Sequence, residues 1–214
     1  AQVVALCDVD TWRLNHAVKL VEKAYGDRAP TGTYRGCPTY GDYREVLARE
    51  DVDAVMISTP DHWHVPMTIA AAKAGKDVCT EKPLGVSVAE DLKCREVIKR
   101  YDRVFQYGTE ARASAACRLG AELVRNGRLG KLQKIYVQLP AGPGNPGDAR
   151  PRPIPPDFDY DMWLGPAPWA PYTFQRSASR AEGSPGYWMH IHDYGLGCLS
   201  GAWGIHHLDI AQWA

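Results

Sequence analysis

The chain has 214 residues, with 25 Lys+Arg against 25 Asp+Glu and a hydrophobic fraction of 45%. That length suits one large domain or one and a half ordinary ones, and balanced charge without a long block of one sign argues against a nucleic-acid or membrane-surface protein held by net charge. No apolar run reaches the ~20 residues of a membrane span, and the six scattered cysteines, with no CxxC, read as reduced, buried thiols rather than a disulfide framework or a zinc site.

The apolar run 3–7 reads as a buried strand ending at Asp8. Residues 11–25 carry Leu14, Ala17, Val18, Val21 and Ala24 at helical spacing, with Gly26 as a stop. Residues 31–40 are a Thr/Gly/Pro loop, and 41–49 a short helix with Asp42 as its cap. DAVMISTP (53–60) is a second strand, 65–75 an alanine-rich helix closed by Gly75, and 77–80 a third strand. Residues 87–102 form an amphipathic helix with Ser87 and Glu90 as a capping box, and 103–109 a fourth strand. After that the style changes. A helix over 114–126 leads into an alternating strand over 132–140, a Pro/Gly-rich loop over 141–156, an aromatic, turn-rich stretch, and a helix beginning near Gly201.

Apolar strands alternating with helices predict a parallel, doubly wound sheet with ligands at the carboxyl ends of its strands. Polar residues cluster there: Asp8, then Thr59 to His64, then Glu81-Lys82-Pro83, then Gly108-Thr109-Glu110. Asp8 suits an acid that accepts from an adenosine ribose and repels a 2′-phosphate, which favours NAD over NADP. A turn or cap Asp is the alternative, and Asp10 competes for the role. The chain opens on AQVVALCDVD with no Met, so a first strand and its glycine-rich GxGxxG loop are expected just before Ala1. No signal peptide is visible, which points to the cytoplasm, with a periplasmic location through a twin-Arg signal upstream of Ala1 as the alternative.

His62 and His64 stand at i, i+2, which is not helical metal spacing, so no metal site is expected; a loop packed against a cofactor fits better. Lys82 at a strand's carboxyl end can hydrogen-bond a substrate hydroxyl and lower its pKa, with Glu81 orienting it and a cis peptide at Pro83 fixing its direction. A surface ion pair is the plainer reading. In GIHHLD (204–209), His206 and Asp209 stand at i, i+3 and share a helix face, and a histidine suits proton abstraction from a carbinol.

These pieces occur in one order in a known family. VVALCDVD (3–10), the block from DVDAVMISTPDHWHVP to EKPL (51–84), FQYGTEAR (105–112), GRLGKL (127–132), DYDMWLGPAPWAPY (159–172) and AWGIHHLDIAQW (202–213) resemble the glucose–fructose oxidoreductase / inositol dehydrogenase (Gfo/Idh/MocA) family, in a bacterial subgroup. The resemblance implies a Rossmann domain over 1–113, without its first strand, and part of an α+β domain over 114–214 built on a large, mostly antiparallel open sheet. It implies NAD(P), a sugar or cyclitol substrate, and a homo-oligomer, dimer or tetramer, formed through that sheet. Lys82 and His206 would be catalytic. Thr59, Pro60, His62, His64, Glu81 and Pro83 would line the cofactor with Asp8, and Asp209 would touch substrate. Where many members carry an Asp four residues before the histidine, this chain has Ala202, so Asp193 or His207 would take that place; Glu110 replaces the usual Gln. An NAD-dependent glycosidase working by transient internal oxidation, and a non-catalytic sugar or nucleotide binder, are the alternatives.

Overall fold

The structure, a computed structural model, describes residues 2–26, 36–142, 148–177 and 187–214. Its first half alternates strand and helix: β1 (Leu6–Cys7), α1 (Thr11–Gly26), β2 (Thr39–Tyr40), α2 (Tyr43–Leu47), β3 (Ala54–Ile57), α3 (Asp61–Lys73), β4 (Asp77–Thr80), α4 (Val88–Arg100) and β5 (Phe105–Tyr107). Then follow α5 (Ala115–Arg125), α6 (Tyr160–Leu164) and α7 (Gly204–Trp213). Every ladder is parallel, β1 with β2 and β3–β4–β5 in that order. Of the loop expected over 31–40, residues 31–35 lie outside the described residues, and Thr39–Tyr40 form β2, paired with β1, rather than loop; 143–147 of the Pro/Gly-rich loop also lie outside them.

Register places the chemistry. Ile57 pairs with Thr80, and Thr80 with Tyr107, so β3, β4 and β5 end level. The Glu81 amide donates to the Ile57 carbonyl and the Gly108 amide to Thr80, each at 2.9 Å, which extends the ladder one residue into the polar segments. Ile57, Ala71 and Val78 form the core between this sheet and α3. Inside it the Thr68 and Thr80 hydroxyls satisfy each other at 2.7 Å. A second core is aromatic: Phe158, Tyr160, Trp163, Leu164, Tyr172 and Tyr194.

Further elements differ from expectation. Helix α3 begins at Asp61 rather than 65; proline favours the first helical position, so Pro66 suggests a later start, yet it lies inside α3, and Pro60 precedes the first turn. Residues 132–140 form no strand, and no antiparallel sheet forms among the described residues, where the one antiparallel contact is the Asp10–Phe158 bridge. Leu132, Ile135 and Tyr136 are exposed at 49%, 47% and 81%. Alternation marks two faces, but a strand needs a neighbour's ladder, and none runs alongside here. Near Gly201 the chain is π-helical over 197–202 and α7 starts only at Gly204. All six cysteines are free thiols, but Cys94 alone is buried. Among the described residues no helix is long and apolar enough to cross a membrane.

The caps are local and mostly as expected. Asp42 accepts from the Arg44 amide at 2.9 Å. Ser87 Oγ accepts from the Glu90 amide at 3.3 Å, while Glu90 Oε2 takes the Val86 amide at 3.2 Å rather than that of Ser87, so the capping box is displaced by one residue. Losing a side-chain cap costs about 1 kcal/mol. Ser87→Ala should therefore lower the urea midpoint without changing its slope; an unmoved midpoint would show that Ser87 does not hold α4.

Candidate active site

The level ends of β3, β4 and β5 bring Thr59, Glu81-Lys82-Pro83 and Gly108 into one cluster. The Lys82–Pro83 peptide is cis. Lys82 is half-buried and sends its Nζ across to the second half of the chain, 2.9 Å from the Ala202 carbonyl and 3.5 Å from that of Gly201. Its backbone amide donates to Glu81 Oε2 at 3.3 Å. The lysine is thus tied to the turn before α7, not spent in a surface pair.

His64, 1% exposed, stitches two of the strand ends together. Its Nδ1 lies 2.6 Å from the Pro83 carbonyl and its Nε2 2.9 Å from that of Thr59. A neutral imidazole donates from one nitrogen only, so these carbonyls favour the doubly protonated ring. Burial works against them and holds the pKa below its ordinary value. His62 faces elsewhere, into the aromatic core: its Nε2 meets the Trp163 carbonyl at 3.1 Å and its ring packs on Trp163 and Tyr194. Trp63 Nε1 also donates to the Met162 and Trp163 carbonyls, so the first turn of α3 is bolted to α6. Thr59 Oγ1 is buried with no hydrogen-bond partner among the described residues.

Asp8 stands at the end of the separate β1–β2 ladder. Its Oδ1 accepts from the Asp10 amide at 2.9 Å, and burial, ahead of the Asp10 charge, raises its pKa. Asp10 is occupied with α1, accepting from the Trp12 amide at 3.0 Å. The neighbouring Cys7 thiol is pushed up to about 12, by its desolvation and then by Asp8, Asp42 and Glu45. Asp42, which follows β2, is paired with Arg44 at 3.1 Å.

At the other side of the site, His206 Nε2 lies 3.5 Å from Glu110 Oε1, and its Nδ1 is buried without a partner among the described residues. Both residues line a groove of about 850 Å³ between α5, residues 129–138 and α7, with Ala121, Tyr136, Trp203 and Ile210. The start of α7 presses on the preceding π-turn: a Cβ on Gly204 would overlap the Leu199 carbonyl, so only glycine fits. Asp209 is held by Arg112 in a bidentate pair, 2.6 Å and 2.7 Å, and the Arg112 guanidinium lies over the Trp213 ring. Asp193 and His207 are exposed.

The Lys82 ammonium therefore binds the turn that leads into α7, through the Ala202 and Gly201 carbonyls, while the imidazole of His206, on α7 itself, faces Glu110. Thr59, His64, Glu81 and Pro83 join them through the strand ends, whereas Asp8 stands apart. The sequence reasoning did not single out Asp61, which is buried beside the same turn at 4% exposure. Its signal was there: an acid directly after Pro60 at a strand's carboxyl end. Nor did it single out Arg112, whose pairing with Asp209 spans 97 positions.

The family model described as an NAD-binding Rossmann-fold oxidoreductase of the Gfo/Idh/MocA type matches residues 1–109. The chain belongs to the Gfo/Idh/MocA oxidoreductase family. The model of that family's C-terminal α/β domain matches residues 144–214. Among solved structures, this Gfo/Idh/MocA chain is similar to myo-inositol 2-dehydrogenase from Lactobacillus plantarum, at TM-score 0.52 and 32% identity over 62% of this chain and 35% of that one. An oxidoreductase domain protein from Kribbella flavida, at TM-score 0.63 and 24% identity, covers 99% of this chain and 44% of that one, and shares the fold. A glycosyl hydrolase family 109 protein from Shewanella baltica is 34% identical over 102 residues, 48% of this chain and 21% of that protein. The matched stretch thus spans about a fifth of that curated relative.

Proposed function

We propose that the protein is an NAD-dependent oxidoreductase that moves hydride between nicotinamide and the hydroxyl-bearing carbon of a sugar, cyclitol or sugar derivative. The observation that carries this reading is a lysine at the carboxyl ends of three level parallel strands whose ammonium binds the 201–202 carbonyls, the turn that leads into the helix bearing His206. Similarity to an inositol dehydrogenase supports the substrate class.

The residues present suit the cofactor. Thr59 Oγ1, just past β3, is a buried hydroxyl without a hydrogen-bond partner among the described residues, and Thr59, Pro60, Glu81 and Pro83 would hold the nicotinamide side. His62 and His64 would support those segments from behind rather than touch the ring. Bound NAD supplies the hydride acceptor. An ammonium has three donors; carbonyls 201 and 202 take up to two of Lys82's, and the remaining one suits a substrate hydroxyl, whose pKa it would lower. His206 would take the hydroxyl proton, steadied by Glu110, and Asp209 stays oriented by Arg112. His206→Asn should then depress kcat/KM by about a hundredfold or more, whereas the exposed His207 should tolerate the same change; the reverse pattern would move the base to His207.

Asp8, at the carboxyl end of β1, would accept from the adenosine ribose and disfavour a 2′-phosphate, so NAD is preferred over NADP. Asp8→Ser should narrow the ratio of the two dissociation constants, and tighter NADP than NAD binding by the unmodified protein would contradict the assignment. The activity itself is tested by supplying NAD with a panel of hexoses and cyclitols and following NADH. The similarity to a glycosyl hydrolase family 109 protein keeps a second reading, an NAD-dependent glycosidase, for which the same panel as glycosides would release aglycone without accumulating NADH.

A further inference from the structure

The most enclosed acid of the site is one that the hydride-transfer scheme does not use. Asp61 is the first residue of α3 and is 4% exposed. Its Oδ2 accepts from the Leu196 amide at 3.3 Å, across 135 positions of sequence. The turn that receives it lacks side chains where they would collide: a Cβ on Gly195 would come within 3.0 Å of Oδ2, and one on Gly201 within 3.3 Å. The Lys82 ammonium binds the same turn through the Gly201 and Ala202 carbonyls. Acid and ammonium therefore share Gly201, which offers its Cα side to one and its carbonyl to the other.

We propose that Asp61 is a positioning residue that couples to the Lys82 charge and sets the direction of that side chain through the 195–202 turn. The inference takes its catalytic meaning from the hydride-transfer reading of Lys82. A carboxylate has four lone-pair sites, and the long Leu196 amide contact satisfies one of those on Asp61, so its ionised form is favoured by a nearby positive charge. Burial pushes the Asp61 pKa up to about 7, with the Leu196 amide and the Lys82 charge opposing. Two other ionisable groups bear on it. The Tyr107 phenol, on β5, is held protonated mainly by burial, with smaller contributions from the Asp91, Asp209 and Asp61 charges. His62 is next in sequence but turns into the aromatic core. Ionised Asp61 draws the Lys82 ammonium toward the turn; protonated Asp61 leaves the lysine's N–H donors freer to point elsewhere.

The test needs no substrate. In the full chain labelled with carbon-13 at aspartate Cγ, one carboxyl should titrate near pH 7 and vanish in Asp61→Asn, which keeps an acceptor for the Leu196 amide. In Lys82→Met that titration should move to higher pH, because the opposing charge is gone; a merely structural Asp61 would not respond. The Lys82→Met arm keeps the question open to refutation if Asp61→Asn does not fold. A carboxyl held more tightly in the fold lends stability below its unfolded pKa of about 3.9 and loses it as pH rises through about 7. Asp61→Asn should therefore gain thermal stability over the parent above pH 7 and lose that advantage in acid. An aspartate set that titrates wholly below about pH 5, or an Asp61 midpoint unmoved by Lys82→Met, overturns the proposal. A coupled titration in a protein that transfers no hydride supports the pairing and overturns the dehydrogenase reading; hydride transfer without the coupling does the reverse.

Discussion

Lys82→Met should lower kcat by about a thousandfold, within the range general acid–base groups contribute, while the affinity for NAD stays within about tenfold. Methionine keeps the length and apolar stem of lysine and removes the charge and the donors. In the structure those donors reach the Ala202 carbonyl at 2.9 Å and the Gly201 carbonyl at 3.5 Å. The lysine is therefore held in place by the turn that also begins the His206 helix. A group placed for the transition state lowers kcat when removed, whereas a group used for uniform binding raises KM. Fluorescence titration with NAD and steady-state kinetics on the same preparation separate the two. An unchanged kcat would reduce Lys82 to a tether between the two halves of the chain.

Trp163→Ala should cost about 3–5 kcal/mol of stability, the usual range for deleting a buried aromatic ring. Trp163 is 8% exposed. Its ring stacks on Tyr160 at 5.7 Å and meets Tyr194 edge-on at 5.0 Å and His62 at 5.8 Å. Such geometries add to plain area burial. The substitution spares the Trp163 carbonyl, which receives both His62 Nε2 and Trp63 Nε1 at 3.1 Å. The loss should thus report on packing alone, and urea unfolding followed by far-UV circular dichroism measures it. A cost below about 1 kcal/mol would mean that backbone hydrogen bonds, not the aromatic core, hold α3 to α6.

Features decided by near neighbours were legible beforehand. Asp42 and Ser87 cap the helices they precede, and β4 spans the expected 77–80. The polar strand ends were also legible, because a buried parallel strand that stops at Glu81-Lys82-Pro83 announces where its carboxyl end lies. Features decided by distant partners were not. Asp61 becomes a buried acid only because Leu196, Gly195 and Gly201 close over it. The resemblance places Asp209 against substrate but does not show that Arg112 holds both its oxygens. His62 and His64 read as a pair facing one ligand, yet one points to the aromatic core and the other to two backbone carbonyls. Residues 132–140 carry a strand's alternation, but alternation describes faces and says nothing about whether a ladder is at hand.

Hydride transfer itself is the claim on which the rest depends, and deuterium follows it directly. A sugar or cyclitol that the protein turns over, deuterated at the reacting carbinol carbon, should pass its label to the nicotinamide. Mass spectrometry of the recovered cofactor should show deuterated NADH in amounts equal to the ketone formed, with a primary isotope effect on kcat/KM where chemistry limits turnover. Lys82→Met should form neither product at a comparable rate. Product that appears while the cofactor stays oxidised and unlabelled would contradict the account, and would place the protein with enzymes that complete their redox cycle internally.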